Sequence, residues 1–154
     1  MTNSEDDNHT DTDDGPGTTP ERTDVLVVGG GPAGAATSYW LSKAGHHVTC
    51  VERKTFPRDK TCGDGLTPRA VKQLADMGLY SSLEKYHRYT GLRAVAHGVT
   101  LELNWPDHPV YPDHGFVVKR RDLDQLVFEH AGAAGAETHQ GTEAVAPIVE
   151  GGLV

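Results

Sequence analysis

An α/β fold built on a β-α-β dinucleotide-binding unit is predicted by three observations in one stretch, Asp24 to Arg53, DVLVVGGGPAGAATSYWLSKAGHHVTCVER. A short apolar run (Val25, Leu26, Val27, Val28) stops at glycines. An Ala-rich segment of helical period follows, and a second β-branched run ends in an acid, Glu52. Gly29, Gly31 and Gly34 form G-x-G-x-x-G directly after the first run. The first glycine permits a tight turn, the second lets the backbone approach a pyrophosphate, and the third lets helix pack closely on strand. The helix start then presents free N–H groups and a partial positive charge to the phosphates. Glu52 falls 18 residues past Gly34, where a carboxylate can accept hydrogen bonds from an adenosine ribose.

Each element follows from pattern. The first strand is expected over 24–28 and the first helix over 32–45, closed by Gly45, with Ala33, Ala36, Trp40, Leu41 and Ala44 facing the sheet. The second strand is expected over 47–52, with Cys50 as a small buried hydrophobe. Residues 53–66 read as a loop dense in charge, Pro and Gly. Thr67-Pro68 starts a helix as N-cap followed by Pro at N1, Val71, Leu74 and Ala75 form its buried stripe, and Gly78 ends it. A short helical turn fits 80–90, and strands fit 92–97, 99–103 and 115–119, with His97-Gly98 as a hairpin turn. Pro106, Pro109 and Pro112 make the segment between the last two a loop. A helix over 121–134 would bury Leu123, Leu126, Val127 and Phe128. A strand over 143–149, interrupted by Pro147, and a turn at Gly151-Gly152 complete the list; with no partner strand after them, the chain is expected to be the N-terminal part of a longer protein.

Charge is unevenly spread. Residues 1–24 hold eight acids against one base, Arg22, which is −7 of the chain's −8 and leaves only −1 for the rest. No basic patch argues for nucleic acid. The segment 1–22 adds Gly and Pro and almost no apolar residues, so it reads as a disordered acidic tail. It lacks the basic start and apolar core of a signal peptide. Two cysteines, Cys50 and Cys62, fit a reducing cytoplasm better than a disulfide scaffold. Nine histidines are scattered without an H-x-x-x-H or C-x-x-C pair, so no metal site is expected, and Asp107 and Asp113 read as turn residues.

The stretch FPRDKTCGDGLTPRAV, with GGGPAG before it and Glu52-Arg53 between, resembles the geranylgeranyl reductase family of flavoproteins. Its wording is similar to that of the actinobacterial menaquinone reductases within that family, and GLRAVAHG and LNWPDHP sit where members carry similar strands and loops. The resemblance spans about 22–150. It implies a Rossmann-like FAD-binding domain of the glutathione reductase and p-hydroxybenzoate hydroxylase type over 23–154, truncated before its C-terminal motifs and substrate domain. It implies FAD contact at Gly29, Gly31, Ala33, Gly34, Glu52 and Arg53. It also places the isoalloxazine beside Cys62, Gly63 and Gly65, and adenine beside the backbone of Ala144. Taken alone, CGDG also reads as an ordinary Gly-rich turn with an inert cysteine, although its glycines would let backbone approach a flat ring. Arg120, with Leu123 and Asp124 after it, matches the R-x-x-[LF]-D start at which these flavoproteins open a helix. Its fork of donors suits pyrophosphate or ribityl oxygens, with Arg121 one residue away and a solvated basic helix start as the plainer reading.

The implied activity is reduction of isoprenoid C=C bonds in a polyprenyl lipid or quinone by an FAD-dependent oxidoreductase acting on CH-CH groups, with an unidentified electron donor and no catalytic residue assigned within the chain. A lipid substrate leaves peripheral contact at the inner face of the cell membrane open. An aromatic monooxygenase or halogenase of the same fold is the nearest alternative, followed by an NAD(P)-binding dehydrogenase and a non-catalytic nucleotide-binding fragment. The segment alone is expected to bind FAD poorly and turn nothing over.

Overall fold

A computed structural model describes residues 22–151. The acidic tail predicted over 1–22, Arg22 apart, and the residues Gly152, Leu153 and Val154 lie outside the described residues. The first strand, β1 (Val25–Val28), ends at Gly29, whose φ of +105° only glycine adopts without strain. The Gly29 N–H donates to the Val51 carbonyl at 2.8 Å, which turns the chain toward the neighbouring strand. Helix α1 (Pro32–Lys43) follows with Pro32 at its first turn and Gly31 at the N-cap, so no side chain caps its N–H groups. A Cβ built on Gly34 would overlap the Gly29 carbonyl oxygen, which is why helix and strand can touch here. The chain returns as β2 (Val48–Glu52), parallel to β1 from Val25 opposite Val48 to Val28 opposite Val51.

The buried seam of α1 matches its sequence pattern only in part, with Ala36 and Leu41 packed against the core. Ala35, Ser38 and Tyr39 are buried, whereas Ala33 is exposed and Trp40 is 45% exposed. The helix carries apolar residues on more than one side, and a second helix decides which side is covered. Tyr39 stacks on His130 of that helix with ring centroids 4.8 Å apart.

The middle of the chain forms β3 (Gly65–Leu66), α2 (Pro68–Asp76), α3 (Tyr80–Leu83), β4 (His87–Tyr89), β5 (Gly91–Ala96), β6 (Val99–Asn104) and β7 (Gly115–Val117). α2 starts as predicted: the Thr67 hydroxyl accepts from the Ala70 N–H at 3.4 Å, and Val71 and Leu74 are buried. β3, β7 and β4 pair antiparallel in that order, and β5 and β6 form a separate hairpin. His97 and Gly98 both take positive φ, 48° and 78°, as a two-residue hairpin turn with the twist of the strands requires.

Helix α4 (Arg120–Ala133) packs on α1 and buries Leu123, Asp124, Val127, Phe128 and Ala131. It leads into β8 (Glu137–Gln140), which pairs parallel with β2 and gives the sheet order β1-β2-β8. The strand expected over 143–149 does not form. Gly135 turns the chain at φ +109° directly after α4, so the polar segment that follows reaches the free edge of β2 first. Pro147 has no N–H for a ladder, and Val145, Ile148 and Val149 stay exposed. One core of Ala35, Cys50, Val71, Leu83, Val118 and Phe128 joins the parallel sheet to the antiparallel layer.

Candidate cofactor site

The three parallel strands β1, β2 and β8 present their carboxyl ends to one edge, the place where open α/β sheets bind ligands. Glu52, the last residue of β2, is only 6% exposed. Its Oε2 accepts from the Gly30 N–H at 2.9 Å and its Oε1 from the Lys54 N–H at 3.0 Å, so the acid is locked to the glycine-rich turn. Over this edge opens a cavity of about 270 Å³ lined by Val28, Gly29, Glu52, Arg53, Thr142 and Ala144. The Thr142 N–H donates to the Glu52 carbonyl at 3.0 Å, which carries the chain after β8 across the opening. Ala144 therefore borders the cavity from a loop and not from the expected strand. Arg53 is mostly exposed, 4.0 Å from Glu143.

Beneath the turn runs a chain of alternating charges. Arg58 Nη2 lies 3.5 Å from Glu52 Oε2, and its Nη1 lies 3.2 Å from Asp124 Oδ2. Arg120 closes on the same carboxylate, Nε to Oδ1 at 2.8 Å and Nη2 to Oδ2 at 3.2 Å. Asp124 is fully buried, and its hydrogen bonds raise the Arg120 pKa above the ordinary arginine value. Arg58 sits over the Phe56 ring at 5.0 Å, and a Cβ on Gly31 would come within 3.6 Å of its Nη2. Its Nε is buried with no partner. The sequence reading missed Arg58 and gave Asp124 no role. The available signal was an acid on the otherwise apolar face of Leu123, Val127 and Phe128, since a buried carboxylate needs cations around it.

At the far end, Asp64 ties the CGDG loop to α4. Its Oδ1 accepts from the Arg120 N–H at 3.1 Å, standing in for the missing side-chain cap at Lys119, and its carbonyl accepts from the Val118 N–H at 2.8 Å. Cys62 is exposed. A second cavity, about 300 Å³, is lined here by Lys60, Cys62, Asp64, Lys119, Arg120 and Arg121. Gly63 faces open space, while Gly65 pairs with Val117 inside β3. The predicted residues thus fall into two groups, joined through Arg58, Asp124 and Arg120.

This arrangement fits an elongated, doubly charged cofactor. The Glu52–Arg58–Asp124–Arg120 chain is neutral in sum, so a diphosphate would be balanced by the uncapped α1 N-terminus and the orphaned edge of Arg58. A family model described as an FAD binding domain matches residues 22–152. The chain belongs to this FAD-binding family. It is 44% identical over 126 residues to menaquinone reductase of Mycobacterium tuberculosis, an alignment covering 82% of this chain and 31% of that protein. It is 35% identical over 124 residues to rifampicin monooxygenase of Streptomyces venezuelae, covering 77% and 25%. Among solved structures, the FAD-dependent myxobacterial chondrochloren halogenase CndH superposes with a TM-score of 0.77 at 25% identity, covering 86% of this chain and 31% of that one. The chain therefore spans about a third of the length of the curated relatives it matches. Among the described residues, no helix is long and apolar enough to cross a membrane, and no group of three or more His, Cys, Asp or Glu could hold a metal ion.

Proposed function

We propose that this chain forms the FAD-holding part of an oxidoreductase that saturates an isoprenoid C=C bond of a polyprenyl quinone or lipid. The observation that carries this reading is the 44% identity with menaquinone reductase across 82% of the chain. When bound, FAD supplies the hydride chemistry, and the protein supplies position and electrostatics.

The backbone of Gly29, Gly31, Ala33 and Gly34 delivers the diphosphate to the α1 N-terminus, and Glu52 exchanges its hold on Gly30 for the ribose hydroxyls. Arg53 and Ala144 border the adenine. Arg58 and Arg120, oriented by Asp124, flank the phosphates and ribityl chain, while Cys62, Gly63 and Gly65 line the ring. Residues 23–154 act as part of one FAD-binding domain. The two cysteines suit a reducing cytoplasm, a lipid substrate suits peripheral contact with the inner face of the membrane, and a separate donor supplies electrons.

The test is to purify the longest polypeptide that carries this chain, record its visible spectrum, and offer it a long-chain menaquinone with reductant. A yellow protein that adds two hydrogens to the quinone tail is the expected result. A colourless protein that refuses FAD overturns the reading. Insertion of oxygen or halogen into an aromatic compound would instead support the second reading, which the likeness to CndH and to rifampicin monooxygenase favours.

A further inference from the structure

The hairpin of β5 and β6 carries an apolar ladder on the molecular surface. Leu92 pairs with Leu103, Ala94 with Leu101 and Ala96 with Val99, and strand alternation puts all six on one face. The charged pair Arg93 and Glu102, with Nη2 to Oε1 at 2.6 Å, belongs to the other face. Leu92, Val99, Leu101 and Leu103 are 50–66% exposed. Trp105 continues β6, donating its N–H to the Thr90 carbonyl at 2.9 Å, and so stays in phase with Leu101 and Leu103.

Through Trp105 the ladder adjoins a cavity of about 220 Å³ lined by Thr67, Pro68, Trp105, Pro106, His108, Tyr111 and Pro112, with the exposed Arg69 at its border. Its walls are braced. His108 Nδ1 accepts from the N–H groups of Val110 and Tyr111 at 3.1 and 3.2 Å, and the His108 ring stacks on Tyr111 at 4.5 Å. The cavity also adjoins the CGDG loop, since Thr67 and Pro68 directly follow β3. The Tyr89 hydroxyl donates to the Leu66 carbonyl at 3.0 Å, with the Tyr89 ring 6.3 Å from Trp105.

We propose that the Leu92–Leu103 ladder and the Trp105–Tyr111 cavity form the track that receives the polyprenyl chain of the substrate. The inference rests on the isoprenoid reading above. Size argues for a chain rather than a second protein. A strip about 20 Å long and two strands wide offers on the order of 200 Å², far below the ~800 Å² per partner of a stable interface. The cavity is smaller than the ~300–1,000 Å³ of sites that enclose a whole ligand, so it seats a segment. Its indole, phenol and proline faces suit flat, uncharged C=C units, and the ladder bears no charge that would select a peptide or a headgroup.

The experiment is photolabelling of the whole chain with diazirine-tagged geranylgeraniol, mapped by peptide mass spectrometry. Saturable labelling within 91–112, displaced by untagged geranylgeraniol, is expected. The double variant L101Q/L103Q, altered only at exposed positions, should require roughly tenfold more probe, and Val95→Thr, exposed on the opposite face of the hairpin, should label normally. Label spread without saturation, or gathered on Val145, Ile148 and Val149, overturns the proposal. So does a dimer, seen by light scattering, that shields the hairpin from the probe. If the track labels but the enzyme ignores prenylated quinones, the proposed reaction fails and the site stands. If the enzyme reduces them while the label lies elsewhere, the site fails and the reaction stands.

Discussion

Asp124 is the residue on which most of the site depends, because one buried carboxylate holds two arginines from different segments. Replacing it by Asn keeps the shape and leaves both guanidinium groups short of a counter-charge. Removing one partner of a fully buried ion pair costs ~3–5 kcal/mol; the arginines here still reach solvent, so Asp124→Asn should cost about 2 kcal/mol. That would appear as a lower urea midpoint at unchanged slope. The two thiols make a second contrast. Burial raises the Cys50 pKa, with Glu52 adding to the rise and a Ser38 hydrogen bond opposing it. Folding thus favours the protonated Cys50 thiol, and the stability from this group is complete below the ordinary thiol range and falls as pH climbs through it. Iodoacetamide at about pH 8 should modify exposed Cys62 and spare Cys50 in the native protein, as mass spectrometry of the alkylated peptides would report.

Among elements, the β1–α1–β2 crossover was the most legible because its constraints are local. A turn at positive φ, a proline at the helix start and an acid at the strand end are each readable from residue type. Gly34→Ala tests that unit: its new methyl would collide with the Gly29 backbone, which no side-chain rotation can relieve. The expected loss is about 3 kcal/mol of stability, at the upper end for overpacking, together with loss of FAD binding, checked by thermal melts with and without FAD. The hairpin and α2 were equally local, through His97-Gly98 and Thr67-Pro68. The seam of α1 and the strand after α4 were not. Which side of α1 is buried depends on where α4 lies, and β8 is a strand because β2 has a free edge beside it, although ETHQ is polar.

At the scale of the molecule, the cavity is open along the sheet edge and Glu52 is engaged with Gly30, so a ribose held by Glu52, as proposed, would displace an existing hydrogen bond. With its two cavities bridged only by the arginine network, the 154-residue chain by itself should hold FAD weakly. Titration followed by flavin fluorescence should show binding that weakens further as salt screens the diphosphate contacts.

The first β-α-β unit with its glycine fingerprint and Glu52 at the strand end, the start of α2, the β5–β6 hairpin and the Arg120 helix start were legible in the sequence, and the FAD assignment came with the family resemblance, whereas β3, β4 and β8 were not foreseen. Each legible feature rests on backbone geometry or on motif spacing within a few tens of residues. Only the tertiary structure decided that Arg58 reaches both Glu52 and Asp124, that Asp124 anchors both arginines, and that Ala144 comes to the sheet edge on a loop. Those are juxtapositions of segments far apart in the chain, and what pairs them is the packing of α4 against α1 and the sheet, which no local pattern encodes.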